Sequence, residues 1–159
     1  MKYFVVWLLL AVSIATPVFA DTVKIPEDKP VAVITFPEGW TASVSGDMVT
    51  AAADDASVLL NVITTRPDML GPSNDKAFAL LKVKPDFESY KDSKTTLNGM
   101  NVVVVNVDGK DASGSTMKIT LTAVEVTKDR GVMVILRGEE VAKRADEITA
   151  IMNSIAAAP

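Results

Sequence analysis

From Val31 to Thr65 apolar and polar residues alternate in four short runs, each stopped by a turn signal. "VAVITF" (Val31–Phe36) is β-branched and aromatic and ends at Pro37, whose nitrogen has no proton to give a sheet ladder. After Pro37-Glu38-Gly39, "WTASVSG" runs to Gly46-Asp47, "MVTAAA" to Asp54-Asp55, and "SVLLNVITT" from Ser57 to Thr65. Period-two runs joined by tight turns predict four strands in an antiparallel meander. "RPDMLGPSN" (Arg66–Asn74) carries two prolines and a glycine and predicts a loop. Beyond it Ala77, Leu80 and Leu81 recur at helical spacing, with Ser73 or Asn74 as the expected N-cap. The helix must stop by Lys84, because Pro85 disfavours helical backbone in the residue before it.

"DFESYKDSK" (Asp86–Lys94) has no sustained period and is read as a link. Asn98-Gly99 between the apolar runs "TTL" and "MNVVVVNVD" is a strong hairpin signal. Val103, Val105 and Val107 face one way and Val102 and Val104 the other, so this strand is expected to be covered on both faces. In "TMKITLTAVEVT" the apolar parity moves from Ile119 and Leu121 to Val124 and Val126, which predicts a bulge near Ala123. "VMVILR" (Val132–Arg137) is apolar at five successive positions and should be a central strand. The chain closes with a helical stripe, Val141, Ala145, Ile148, Ile151, Met152 and Ile155. Glu139 to Lys143 and Glu140 to Arg144 are expected as i,i+4 pairs on its wet side. Strands, helix, strands, helix predict an α+β fold, a three-layer α/β/α sandwich with a mainly antiparallel sheet and flanking helices.

The first twenty residues add a destination. One charge at Lys2, an apolar run from Tyr3 to Val12, and small residues at Val18 and Ala20 have the layout of a secretory signal peptide cleaved after Ala20. An uncleaved anchor is the rival reading, but Ser13, Thr16 and Pro17 break the run short of the ~20 apolar residues that span a bilayer. The expected organisation is therefore 1–20 signal, 21–30 extended lead-in and 31–156 a single domain. Of 159 residues, 16 are basic and 20 acidic, and losing Lys2 makes the remainder more acidic still. No Lys/Arg cluster stands out, which argues against nucleic acid or an anionic membrane as the main partner. The absence of cysteine and of an Asn-x-Ser/Thr acceptor favours a bacterial periplasm over an animal extracellular setting. It also leaves no cysteine to carry a lipid, so no stable membrane anchor is expected once the signal is gone.

With no His and no Cys, the usual general base, the commonest metal ligands and the thiol nucleophile are missing. "SNDK" (Ser73–Lys76) spells S-x-x-K, but its companion motifs are absent, so helix capping is the preferred reading. Asp108/Asp111 and Asp54/Asp55 lie in turns and are read as turn chemistry, with a weak cation site as the open alternative. Glu38 beside Trp40 allows a sugar-stacking reading, although a Trp opening a strand after a Pro-x-Gly turn is better placed to organise the sheet. Met69 and Leu70, between prolines in the longest irregular stretch, join Glu38 and Trp40 as a candidate contact surface. No catalytic, cofactor or metal residue is assigned.

A strand ending "FPEGW", a meander, a helix after a Pro-rich break, a long hairpin and a closing helix ending "IMNSI" resemble the PsbP-like fold, including bacterial DcrB-like domains. The resemblance spans Val31 to Ile155 and implies a three-layer sandwich in a family of accessory, assembly and binding proteins rather than enzymes. None of the residues that photosystem members use for metals or docking has a match here. The expected function is a non-enzymatic periplasmic accessory that binds or helps assemble another envelope protein. The alternative is a carrier for a small apolar ligand, held between sheet and helix.

Overall fold

The computed structural model describes residues 19–138 and 140–159, with Phe19, Ala20 and Met69 described by backbone only. The expected signal up to Val18 and the Glu139–Lys143 pair lie outside the described residues. The elements are β1 (Phe19–Ile25), β2 (Ala32–Pro37), β3 (Trp40–Ser45), β4 (Met48–Ala53), β5 (Val58–Thr65), α1 (Leu70–Leu81), β6 (Lys84–Leu97), β7 (Met100–Lys110), β8 (Thr116–Thr127), β9 (Arg130–Gly138), α2 (Ala145–Ser154) and β10 (Ala156–Ala157). A 3-10 turn, Pro67–Met69, leads into α1.

Seven strands form one sheet in the order β3-β4-β5-β9-β8-β7-β6, and each neighbouring pair is antiparallel. A second sheet has the order β1-β2-β10. The expected four-strand meander is therefore three strands, because β2 pairs with β1 and β10 instead of β3. The lead-in supplies that partner: Asp21 to Ile25 lie opposite Phe36 to Ala32. β9 is central, between β5 and β8, with Gly131 to Ile135 buried.

Side-chain alternation divides the interior in two. Ile63, Val105, Leu121, Met133 and Ile135 cluster with Ala77, Phe78 and Leu81 of α1. Val58, Leu60, Val62, Val132 and Val134 cluster with Ile25, Ile34 and Phe36 of the small sheet and with Ile151 and Ile155 at α2. The result is an α+β fold dominated by antiparallel sheet, with two α-helices among the described residues. The parity change at Ala123 reflects this double coverage, since Ala123 belongs to the α1 cluster and Val124 and Val126 to the other. The bulge itself comes later: β8 keeps register with β7 through Val124 and slips against β9 between Val124 and Thr127. Gly131 permits this, because a Cβ there would collide with the Val124 carbonyl.

α1 starts well before Ser73. Arg66 is the extended residue ahead of Pro67, which suits a first helical position, and Pro72 falls in the first turn of α1, where a missing N–H costs no helical bond. Gly71 has no Cβ to meet the Pro72 ring. Ser73 therefore lies inside the helix rather than at its cap, and the Arg66–Asn74 stretch read as irregular is mostly helical. The helix closes with Lys82 at φ 53°: Lys82 N–H bonds Ala79 O and Val83 N–H bonds Phe78 O, a Schellman ending that contains no glycine.

Two further expectations are corrected. α2 begins at Ala145, and Glu140 pairs with Lys143 rather than Arg144, whose guanidinium is held elsewhere. "DFESYKDSK" is part of β6, not a link, and its lack of period has a structural cause. Asp86 lies opposite Asp108 but Lys91 lies opposite Asn106, so residues 87–90 of β6 stand against Val107 alone, an enlarged bulge. Past the bulge β6 runs in register to Leu97, which faces Met100 across Asn98 and Gly99, both at positive φ as a type I′ turn requires.

Candidate functional site

Trp40 is 4% exposed and stacks on Phe36 with ring centroids 6.3 Å apart. Its indole N–H donates to Glu147 Oε2 at 2.6 Å. Glu147 in turn accepts from Arg144 Nη1 at 3.1 and 2.9 Å, while Arg144 Nη2 lies 3.0 Å from Asp54 Oδ1 and 2.8 Å from Asp55 Oδ2. Arg144 Nε donates to Ser57 Oγ at 3.2 Å. The N-terminus of α2 is thereby tied to the β4–β5 turn and to the start of β3. Hydrogen bonds from Ser57 and then Arg144 hold the Asp55 carboxyl well below the usual carboxylate range, and bonds to Asp55 and Glu147 push the guanidinium up. The cation that Asp54 and Asp55 gather is thus the protein's own Arg144. Trp40 has no ring face to offer a ligand, which corrects its place in the candidate contact surface, and Glu38 is exposed at the turn.

The other sequence candidates are also spent locally. Ser73 Oγ is buried and lies 2.6 Å from Thr65 Oγ1, and Lys76 Nζ lies 2.9 Å from Asp47 Oδ2, so the S-x-x-K pair does not form a dyad. The Lys76 bond holds the Asp47 carboxyl below its usual range. Asp111 Oδ1 accepts from Ser113 N and Oγ and from Ser115 N, which closes the β7–β8 loop and lowers its carboxyl, the Ser113 hydroxyl foremost. Asp108 sits in β7 opposite Lys118. Among the described residues, no group of three or more acidic side chains is gathered to hold a metal ion. Leu70 is half-buried and packs toward the α1 cluster, and the Met69 side chain lies outside the described residues.

Two features remain open. A cleft of about 310 Å³ lies where the lead-in to α1 leaves the sheet uncovered, with Leu70, Val103 and Ala123 among its apolar lining and Lys94, Asn101 and Glu125 among its polar lining. Asn101 Nδ2 donates to Glu125 Oε2 at 3.0 Å. The second feature is the β6 bulge. Ser89 Oγ donates to Asp86 O at 2.7 Å and accepts from Asp108 N–H at 2.8 Å, which fixes the excursion as a built loop. It carries Phe87, 69% exposed, and Tyr90, 38% exposed. Large apolar side chains are ordinarily buried; among the described residues only these two and Leu80 are large apolar side chains left exposed, and the two aromatics share one bulged edge strand. Alternation singles out neither; the signal in the sequence is a pair of aromatics inside a strongly charged stretch, "DFESYKDSK".

No protein-family model matches the chain, and no curated protein sequence matches it. Among solved structures it is similar to the solution structure of cyanobacterial PsbP (CyanoP) from Synechocystis sp. PCC 6803, with a TM-score of 0.55 and 9% identity over 92% of this chain and 96% of that one. It is also similar to a crystal structure from Bacteroides thetaiotaomicron VPI-5482, with a TM-score of 0.53 and 10% identity over 80% of this chain. The chain spans 45% of that second protein's length. The fold is PsbP-like, and at these identities the likeness concerns the fold alone. No described helix is long and apolar enough to cross a membrane.

Proposed function

We propose that this protein is a non-enzymatic accessory of the bacterial envelope, exported to the periplasm and docking onto another envelope protein through the bulged edge strand β6. The observation that carries the reading is Phe87, 69% exposed, with Tyr90 beside it on a loop fixed by Ser89. A displayed aromatic pair costs solubility unless a partner covers it, and aromatics are the side chains that anchor protein interfaces. The chemistry points the same way: Ser73, Trp40, Asp54, Asp55 and Asp111 are each engaged with groups of the protein itself. A DcrB-like relationship and a three-layer α/β/α arrangement fit the two separate hydrophobic clusters and the PsbP-like fold, and an accessory role is in keeping with both.

A photo-crosslinking residue placed at Phe87 in cells, compared with one at exposed Thr41 on β3, tests this. One envelope protein captured at Phe87 and not at Thr41, and identified by mass spectrometry, is the expected outcome. Equal or absent capture at the two positions overturns it.

The cleft beside α1 favours a second reading, the carrier of a small apolar ligand. Its volume of about 310 Å³ falls at the small end of ligand pockets, and its lining is apolar with a few polar groups. Native mass spectrometry of gently purified protein distinguishes the two, since a carrier arrives with a bound small molecule and a docking protein arrives empty.

A further inference from the structure

The stretch of β6 past the bulge carries an arrangement that the docking role of Phe87 and Tyr90 does not use. Lys91 to Leu97 pair in continuous register with Asn106 to Met100 of β7, and on its other side β6 has no strand among the described residues, being the end of the seven-stranded order. The two-residue turn makes Leu97 and Met100 a hydrogen-bonded pair, so alternation turns the N–H and C=O of Thr96, Lys94 and Asp92 outward. All residues from Lys91 to Thr96 are exposed, and among the described residues their side chains make no hydrogen bond or ion pair. An exposed edge with its backbone groups free is a template for another strand.

Edge charges commonly prevent such pairing, but a like-signed edge does so more effectively than this one. Reading "KDSKT" against itself in antiparallel sense about Ser93 places Asp92 opposite the second copy's Lys94 and Lys94 opposite its Asp92. Ser93 then meets Ser93, and Lys91 meets Thr95. The register satisfies the backbone as well, because Asp92 and Lys94 are the residues whose groups point outward, so they form the hydrogen-bonded pairs. Asp92 and Lys94 lie opposite Val105 and Val103 of β7, so they share one sheet face and the opposite charges meet side by side.

We propose that a second copy of this chain pairs with the β6 edge, antiparallel about Ser93, joining two seven-stranded sheets into one. The enlarged bulge beyond Lys91 bounds the pairing, which keeps the contact short and the association weak and reversible, below the ~1,200 Å² of a standard stable interface. A two-fold of this kind sets a Phe87/Tyr90 bulge at each end of the joint, so an envelope partner would be met bivalently. The proposal rests on the reading of β6 as a docking edge.

The test is sedimentation equilibrium of the full mature chain across protein concentrations, with charge variants on the edge. Wild type is expected to show a concentration-dependent dimer. Asp92→Lys and Lys94→Asp, each of which makes two like-charge pairs, are expected to raise the dimer Kd by about tenfold or more, while D92K/K94D together restore it, because the doubly swapped edge is again self-complementary. Ser93→Cys adds a sole thiol to a chain that has none, and is expected to cross-link into a covalent dimer faster than Thr95→Cys. A monomer at every concentration, or a dimer unmoved by the single variants and not rescued by the double, overturns the proposal. Capture at Phe87 that persists in a strictly monomeric protein removes the self-pairing alone; loss of capture with the dimer intact removes the envelope partner alone.

Discussion

The seven-stranded sheet has two ends, and they treat polar side chains in opposite ways. At the β3 end, Trp40, Glu147, Arg144, Asp54, Asp55 and Ser57 satisfy one another, and Val23 of the small sheet packs in the same cluster as Ala42 and Val44 of β3. At the β6 end, Asp92 and Lys94 are exposed and have no side-chain partner among the described residues, and Phe87 stands in solvent. Charge content alone does not separate the two ends, since both are rich in Asp, Lys or Arg. What separates them is whether the groups already have partners within the fold. The end that is engaged holds the structure together, and the end that is unengaged is available for contact.

The largest expected effect breaks this comparison at the engaged end. Trp40→Ala removes a buried aromatic together with its stacking on Phe36, and leaves Glu147 without its indole donor. A loss of about 3–5 kcal/mol is expected, read as a shift in the midpoint of urea unfolding. A loss under about 1 kcal/mol, the range of a surface site, would show that the corner does not organise this end of the sheet.

Acid should find the same corner, with a smaller effect. The folded Asp55 carboxyl is held below its ordinary value, so the stability it contributes is complete above the unfolded pKa near ~3.9 and drains away as pH falls below it. Asp55→Asn should therefore be less stable than wild type at neutral pH, and the difference between the two should shrink as pH drops below ~4. Asp47 and Asp111 are lowered too and remain in the variant, so its acid limb flattens without vanishing. Parallel stability curves for the two proteins between neutral and strongly acid pH would break the link between Asp55 and Arg144.

How much of this was legible in the chain follows from the range of the interactions. Strands whose partner is next in sequence, β3 to β4 to β5 and the Asn98-Gly99 hairpin, announced themselves by alternation and turn chemistry. β2 did not reveal its partners, because its alternation is equally compatible with β3 and with the lead-in, and the choice is made by tertiary packing. α1 was shortened because Pro67 and Pro72 read as breakers, whereas near a helix start each is tolerated. The organising place of Trp40 was legible from its Pro-x-Gly turn. Its partner Glu147 was not: the two are 107 positions apart, and the i,i+4 rule offered the bridging Arg144 a nearer partner in Glu140. Phe87 and Tyr90 were hidden by the bulge, which destroys the period by which a strand is recognised.

The smallest expected effect sharpens the comparison from the unengaged end. Phe87→Ser removes an aromatic as large as Phe36, yet Phe87 is 69% exposed where Phe36 is fully buried, so folding takes little of its surface from water. The bulge is held by Ser89 and by the Asp86 carboxylate on Glu88 N–H, and neither bond involves the ring. Stability should change by no more than ~0.5 kcal/mol in either direction, as at an ordinary surface position. Solubility should rise, because an uncovered aromatic is a self-association liability. Measured beside Trp40→Ala by the same urea unfolding, the two substitutions should differ several-fold in cost while removing side chains of comparable size. If Phe87→Ser instead cost as much as a core truncation, the ring would be packed in the folded protein, and β6 would be held together in the same manner as the β3 end.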